Sequence, residues 1–245
     1  MIETPLEYYN RSYAGGQLDR DEAANDFRKV APVWKDLGRK LRVIDLGCGA
    51  GSTSAELVRQ GHEVVGLDIM EDAVVRARRR GLDAHVHDMN QPLPFRDGEF
   101  DVVMALDVLE HLFDPVGALR DIRRILREDG YAIVCLPLHF DLRNRLRLLV
   151  GRGILSHEHL RLETGLRCWS YYHLRFFTLT EAERFLAAAG LREEARWYRA
   201  LAPEWLGPAA GLWRRPVRKF CVTRWPGLFA HDVKFRTVKE ESRDS

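Results

Sequence analysis

Cysteine is scarce: the 245-residue chain carries four, Cys48, Cys135, Cys168 and Cys221, far apart and without a C-x-x-C pair. That spacing argues against a disulfide framework and against a zinc site built on cysteines, and it fits a reducing cytoplasm. Long apolar runs are missing too. No uninterrupted apolar stretch approaches the ~18 residues that a membrane-spanning helix needs, and the N-terminus opens on acidic and aromatic residues rather than on a basic stretch before an apolar run. We therefore expect a cytoplasmic protein with neither a secretory leader nor a transmembrane segment. An excess of one charge is also lacking, since 38 basic residues face 36 acidic ones for a net charge of +2. So balanced a chain has no global field to gather nucleic acid, and no specific nucleic-acid partner is expected.

What is present is 46% hydrophobic sequence, enough for one sizeable core, so residues 1–245 are expected to form one domain. Residues 1–38 show no strand pattern; Ala23, Phe27, Val30 and Val33 recur near helical spacing and read as a helical N-terminal cover. From Leu41 the rhythm changes. Short apolar runs, Leu41 to Leu46, Glu63 to Leu67, Ala84 to His87, Phe100 to Leu106 and Tyr131 to Leu136, alternate with charged, helix-period segments. This alternation predicts an α/β fold, Rossmann-like and doubly wound, with ligands bound outside the carboxyl ends of a mostly parallel sheet. Residues 41–137 would be the cofactor-binding core, and 138–245 the acceptor side. The latter reads as an insertion after the fifth strand, opening with a basic amphipathic helix over 141–153. A helix from Thr180 to Ala189 stopped by Gly190 follows, with closing strands Leu191 to Ala200 and Leu228 to Val238 making seven.

The chemistry should sit in the turns after the strands. In Val43 to Gly51, VIDLGCGAG, an acidic residue precedes Gly47, Gly49 and Gly51, which let the backbone approach a ligand without Cβ obstruction. The dinucleotide fingerprint G-x-G-x-x-G needs glycine at position 52, where this chain has Ser52. A carboxylate at this turn, Asp45, repels a pyrophosphate but suits the sulfonium and ammonium of S-adenosylmethionine (SAM). The next strand ends in GLDIM, which places Asp68, followed by Ile69, where a carboxylate accepts both ribose hydroxyls. After the third strand comes HDMNQPLPF, in which Asp88 can accept the adenine amino group while Met89 packs on the ring.

VIDLGCGAG, GLDIM, HDMNQPLPF, FDVVMALDVLEHL and LREDGYAIV occur in the order and spacing of class I SAM-dependent methyltransferases, which the chain resembles from about Leu41 to Pro137. The resemblance implies SAM as cofactor. It places Asp45, Gly47, Gly49 and Gly51 on the methionine and ribose side, Asp68 and Ile69 at the ribose, Asp88 and Met89 around adenine, and Leu106 near the sulfonium through its backbone. HLRFFT, the helix ending AAAGL, and PGLFAHDVKF are similar to bacterial small-molecule methyltransferases, which implies an antiparallel last strand. The activity implied is methyl transfer to a small-molecule acceptor, chiefly at a hydroxyl. An NAD(P)-dependent oxidoreductase and a non-catalytic SAM-binding protein are the competing classes.

Methyl transfer needs positioned reactants and, for a hydroxyl acceptor, a base. His111, just after the fourth strand, is the candidate general base, because an imidazole with an ordinary pKa of ~6.5 accepts a proton at neutral pH. His139, His157 and His159 stand in reserve, while His173 reads as a packing or hydrogen-bonding residue. Offsets of three and four put Asp107, Glu110 and His111 on one face, a donor set suited to Mg²⁺. The segment resembles the Glu-x-x-Glu-His of small-RNA terminal 2′-O-methyltransferases and some quinone O-methyltransferases, with Asp107 standing where those have Glu. No Asn-Pro-Pro-Tyr type motif for amino methylation of DNA bases follows the fourth strand, and Cys135 lies in an apolar run as core. The basic stretches Arg143 to Arg152 and Arg214 to Arg224 suit an anionic or lipid-linked acceptor or a membrane surface, or equally an ordinary solvated helix face.

Overall fold

A computed structural model describes Phe27 and residues 30–154, 173–200 and 215–240. Five strands, β1 (Arg42–Leu46), β2 (Glu63–Asp68), β3 (Asp83–Val86), β4 (Phe100–Leu106) and β5 (Leu126–Pro137), run parallel, and β6 (Leu191–Ala200) and β7 (Ala230–Lys239) complete the sheet. The order is β3-β2-β1-β4-β5-β7-β6, and β7 is antiparallel to both its neighbours, as the family resemblance implied for the last strand. Strand order reverses between β1 and β4, which opens a crevice at their carboxyl ends.

Seven helices among the described residues surround it: α1 (Ala55–Arg59), α2 (Glu71–Arg79), α3 (Pro115–Ile125), α4 (Leu142–Leu149), α5 (Leu179–Ala188), α6 (Arg215–Arg224) and α7 (Pro226–Phe229). Helices cover both faces of the central strands, so β4 and β5 need apolar residues at successive positions, and from Val102 to Ala105 and Ala132 to Leu136 every side chain is buried. Alternate residues serve separate cores. Ile44, Val103 and Val134 pack with Leu119, Ile122 and Leu186 of α3 and α5 on one face. Val43, Met104 and Ile133 pack with Val30, Val33, Leu57 and Val74 on the other.

Local chemistry sets the helix ends. At α3 the Asp114 carboxylate accepts the Gly117 N–H at 2.9 Å and Pro115 opens the first turn. The α5 start is a reciprocal box, Thr178 accepting from the Glu181 N–H while Glu181 accepts from the Thr178 N–H, and its end is followed by Gly190 at φ 69°. The amphipathic helix expected over 141–153 is shorter, α4 ending at Leu149 ahead of Gly151, whose φ of 70° breaks the helical path. The expected fifth strand starts at Leu126 rather than Tyr131, because Leu126 pairs with Phe100 ahead of a register shift. Of the polar residues there, Arg127 donates to Asp101, which also accepts the Arg42 N–H, while Glu128 accepts from Lys239 and Asp129 from Arg39.

Of the N-terminal cover, Phe27 and a turn at 30–33 are described, with Val30 and Val33 fully buried against the sheet; the upstream helical pattern through Ala23 lies outside the described residues, as do His157, His159 and Arg214. Tyr131 anchors this segment. Its hydroxyl accepts from the Lys35 N–H at 3.1 Å and donates to the Lys35 carbonyl at 2.8 Å, with the Trp34 ring packed edge-on at 5.9 Å. Tyr131→Phe strips partners from two backbone groups, so a loss of about 1–3 kcal/mol of unfolding free energy is expected in urea titrations. Equal midpoints for the variant and the natural protein would show that the anchor contributes nothing.

Candidate active site

The turn after β1 is stitched to the end of β2. The Gly47 and Cys48 N–H groups both donate to the Leu67 carbonyl, at 2.8 and 2.9 Å. Asp68 Oδ2 accepts the Gly49 N–H at 2.8 Å while its Oδ1 accepts the Met70 N–H at 2.9 Å. All three glycines have positive φ, between 53° and 75°, and each serves differently. A Cβ on Gly47 would lie 2.3 Å from Val108 Cγ2, and one on Gly51 would press on Leu82 and Ala77, whereas Gly49 faces open space.

That open space is a cleft of about 200 Å³ lined by Gly47, Gly49, Asp68, Ile69, Asp88, Met89, Asp107 and His111 among the predicted residues. Asp45, Gly51 and Leu106 do not line it. Asp45 is buried one layer behind, where the Ser54 hydroxyl donates to it at 2.5 Å. Burial pushes its carboxyl up to about 7, the Ser54 bond working against this and the Asp68 charge adding to it. Burial also raises Asp68, and the N–H groups it accepts oppose that shift. Asp88 Oδ1 accepts from both the backbone and the side-chain nitrogen of Asn90, whose own oxygen accepts the Phe113 N–H. This chain of bonds holds the β3 loop against the segment after His111.

Asp107 is the one non-glycine residue at positive φ among those described, φ 56°, a conformation that its short polar side chain tolerates. Its carboxylate accepts from Cys135 Sγ at 3.0 Å. The expected trio of Asp107, Glu110 and His111 is not the group of ligand atoms that gathers among the described residues. Instead, one ligand atom each from Glu110, His111 and His173 lie within 4.8 Å of one another. Glu110 is fully buried, His173 Nε2 stands 3.8 Å from its Oε1, and the His111 and His173 rings meet at 4.9 Å.

Comparison with known proteins agrees with this geometry. Residues 44–134 match the family described as "Methyltransferase domain". The chain is 31% identical over 191 residues to a "Ubiquinone biosynthesis O-methyltransferase" of Ruegeria pomeroyi, covering 76% of this chain and 69% of the relative. A protein of the same name from Parvibaculum lavamentivorans is 31% identical over 247 residues, covering 98% and 86%. The chain belongs to the class I SAM-dependent methyltransferases. A SAM-dependent methyltransferase structure from Archaeoglobus fulgidus has the same fold, with a TM-score of 0.62 at 16% identity over 96% of this chain and 100% of that one.

The methyltransferase's cleft fits its cofactor chemically. Three carboxylates, Asp68, Asp88 and Asp107, line it, and among the described residues no Lys or Arg does, which suits a cationic ligand without phosphates and disfavours a pyrophosphate. Sequence reasoning missed Met70, Ala73, Asn90, Val108 and Leu112 in the lining. Asn90 was within reach, two residues past Asp88 in the same turn. His173, read as a packing or hydrogen-bonding residue, lies far from His111 in the chain, and no local pattern announces their contact.

Two outcomes follow for the cofactor site. Asp68→Ala should weaken SAM and S-adenosylhomocysteine ~10- to 150-fold in calorimetry, the loss of ~1.5–3 kcal/mol for bonds to a charged group; unchanged affinity in a folded variant would refute the ribose assignment. Asp45 gives a pH test. Because its folded pKa is raised, its contribution to apoprotein stability is full below the ordinary value of 3.8 and is lost as pH rises through about 7. A cationic cofactor favours the carboxylate, so binding near pH ~6 should release up to one proton, read from calorimetric heats in buffers of different ionisation enthalpy. Asp45→Asn should abolish the release; buffer-independent heats in the natural protein would count against it.

Proposed function

We propose that this methyltransferase methylates a hydroxyl of a small-molecule acceptor, with His111 as the general base. One observation carries the reading: His111 lines the same cleft as Asp68 and Asp88 while standing against the buried Glu110 carboxylate. SAM, when bound, supplies a methyl group already activated on sulfur. The chain's contribution is to orient the acceptor and to take its proton. His111 would take the proton of the acceptor hydroxyl on a ring nitrogen as that oxygen is methylated. Glu110 lies where a carboxylate stabilises the imidazolium so formed.

The relatives' name supports O-methylation, since both are O-methyltransferases at 31% identity. For the acceptor we favour an anionic or lipid-linked molecule, because α4 exposes Leu146, Leu148 and Leu149 on a segment that also carries Arg145 and Arg147. One sheet spanning Arg42 to Lys239 supports a single domain, and free Cys48, Cys135 and Cys221 support a cytoplasmic setting; among the described residues no helix is long and apolar enough to cross a membrane.

A divalent ion on Glu110, His111 and His173 is the second reading, favoured by the proximity of their ligand atoms. Two imidazoles and one carboxylate suit Zn²⁺, Fe²⁺ or Mn²⁺ better than Mg²⁺, which takes oxygen donors. Transfer assays over a panel of hydroxylated acceptors separate the readings. With a metal-free base, His111→Ala should lower kcat by ~10²- to 10⁴-fold with cofactor affinity near normal, and EDTA should leave the natural enzyme active. Loss of activity in EDTA, restored by a divalent ion, would replace the base with the metal. Cofactor binding with no S-adenosylhomocysteine formed from any acceptor would favour a non-catalytic role.

A further inference from the structure

The stretch His173 to Phe177 is fastened on two sides. The Leu174 and Arg175 N–H groups donate to the Glu110 carbonyl at 2.8 and 3.1 Å, and Arg175 Nη2 donates to the Phe113 carbonyl at 2.8 Å. On the other side the His139 N–H donates to the Phe177 carbonyl at 3.2 Å, beside a bridge between Leu138 and Phe177. Fastened so, the stretch presses the His173 ring between the end of β5 and the turn Leu109–His111. His173 Nδ1 meets His139 Nε2 at 2.7 Å, and its Nε2 faces Glu110.

The proton positions in this row follow from one backbone group. The Phe177 N–H donates to His139 Nδ1 at 3.3 Å, and an amide nitrogen cannot accept in return. His139 Nδ1 therefore carries no proton, and a neutral imidazole must then carry it on Nε2. That N–H donates across the 2.7 Å contact to His173 Nδ1, which leaves the His173 proton on Nε2, on the side of Glu110 and His111.

We propose that His139 is a positioning residue that locks His173 in its Nε2–H tautomer, so that His173 turns a proton, and not a lone pair, toward the Glu110 carboxylate. The inference rests on His111 being the base. Glu110, faced by the His173 N–H at 3.8 Å, lies beside His111, where its carboxylate stabilises the imidazolium, the role a buried carboxylate plays beside a catalytic histidine. A metal ion on His173 Nε2 demands the opposite tautomer in both rings and sets an N–H of His139 against the N–H of Phe177.

Two substitutions at His139 separate this role from a packing role. His139→Gln keeps an N–H donor near the Nε2 position, and His139→Asn keeps only an acceptor near Nδ1, facing Phe177. In the full chain, His139→Asn should lower kcat ~10- to 100-fold at near-normal KM for SAM, the usual cost of losing an orienting partner, and His139→Gln should recover most of it. A purely structural role predicts the reverse order, since Asn preserves the backbone bond. Ring ¹⁵N NMR of the histidine-labelled, cofactor-free protein reads the tautomer directly and needs no activity, so it stands even if His111→Ala remains active. Both His139 and His173 should show a protonated Nε2 and an acceptor Nδ1. A protonated Nδ1 on His173, Asn matching or exceeding Gln in kcat, or stoichiometric binding of Zn²⁺ that shifts the His173 resonances would each overturn the proposal.

Discussion

Asp68 spans two elements with one carboxylate. By accepting the Gly49 N–H with one oxygen and the Met70 N–H with the other, it ties the glycine turn to the start of α2 and sets the floor of the cleft. A carboxylate that accepts two backbone N–H groups is held in one orientation, and charge-assisted bonds of this kind are roughly twice as strong as neutral ones. The rest of the cofactor side takes its register from that bond: Gly47 and Cys48 close on Leu67, Val108 fills the space that a side chain on Gly47 would need, and Gly49 is left open to the cleft.

Acidic groups gather at this point with little to neutralise them. Asp45 and Asp68 both have raised carboxyls, for the same first cause, burial. In an apoprotein that is a cost, because desolvation disfavours the charged form. Beside a sulfonium and an ammonium it becomes an attraction, strengthened by the low dielectric that raised the pKa in the first place. The same electrostatics discriminates between cofactors sharing a Rossmann-like sheet, since a pyrophosphate brought into a cleft lined by three carboxylates would be repelled.

The acceptor side is organised by a segment far away in the chain. Residues 173–177 bond to the Glu110 carbonyl on one side and to His139 on the other, so β4 and β5 are joined at their carboxyl ends by a strap belonging to neither. This explains how a fully buried Glu110 comes to share a site with two imidazoles. It also separates two kinds of histidine: His111 faces the cleft, whereas His139 faces His173 and a backbone N–H.

The strands, the glycine turn and the carboxylates at strand ends were legible in the sequence because they are local. Period and run length distinguish β from α within a few residues, and a parallel sheet puts residues such as Asp68 and Asp88 at one edge whatever the helices do. The closing strands were readable for the same reason, though the last, expected from Leu228, starts at Ala230 because Pro226–Phe229 form α7. Sequence alone also set Ser52 against a dinucleotide fingerprint and gave Asp45 a cationic ligand to face. Whether Asp45 touches the cleft or stands behind it depended on the Ser54 hydroxyl in the next turn, and that is a matter of packing. Spacing on a helix, or on the turn leading into it, put Asp107 with Glu110 and His111, but the chain takes a left-handed turn at Asp107 and only three residues, Leu109–His111, coil after it, and the ligand atoms that gather are those of Glu110, His111 and His173. His173 entered the group through hydrogen bonds between main-chain groups of Glu110, Leu174 and Arg175, which any residue type other than proline offers. Such bonds leave no mark on composition or period, which is why only the tertiary structure could decide them.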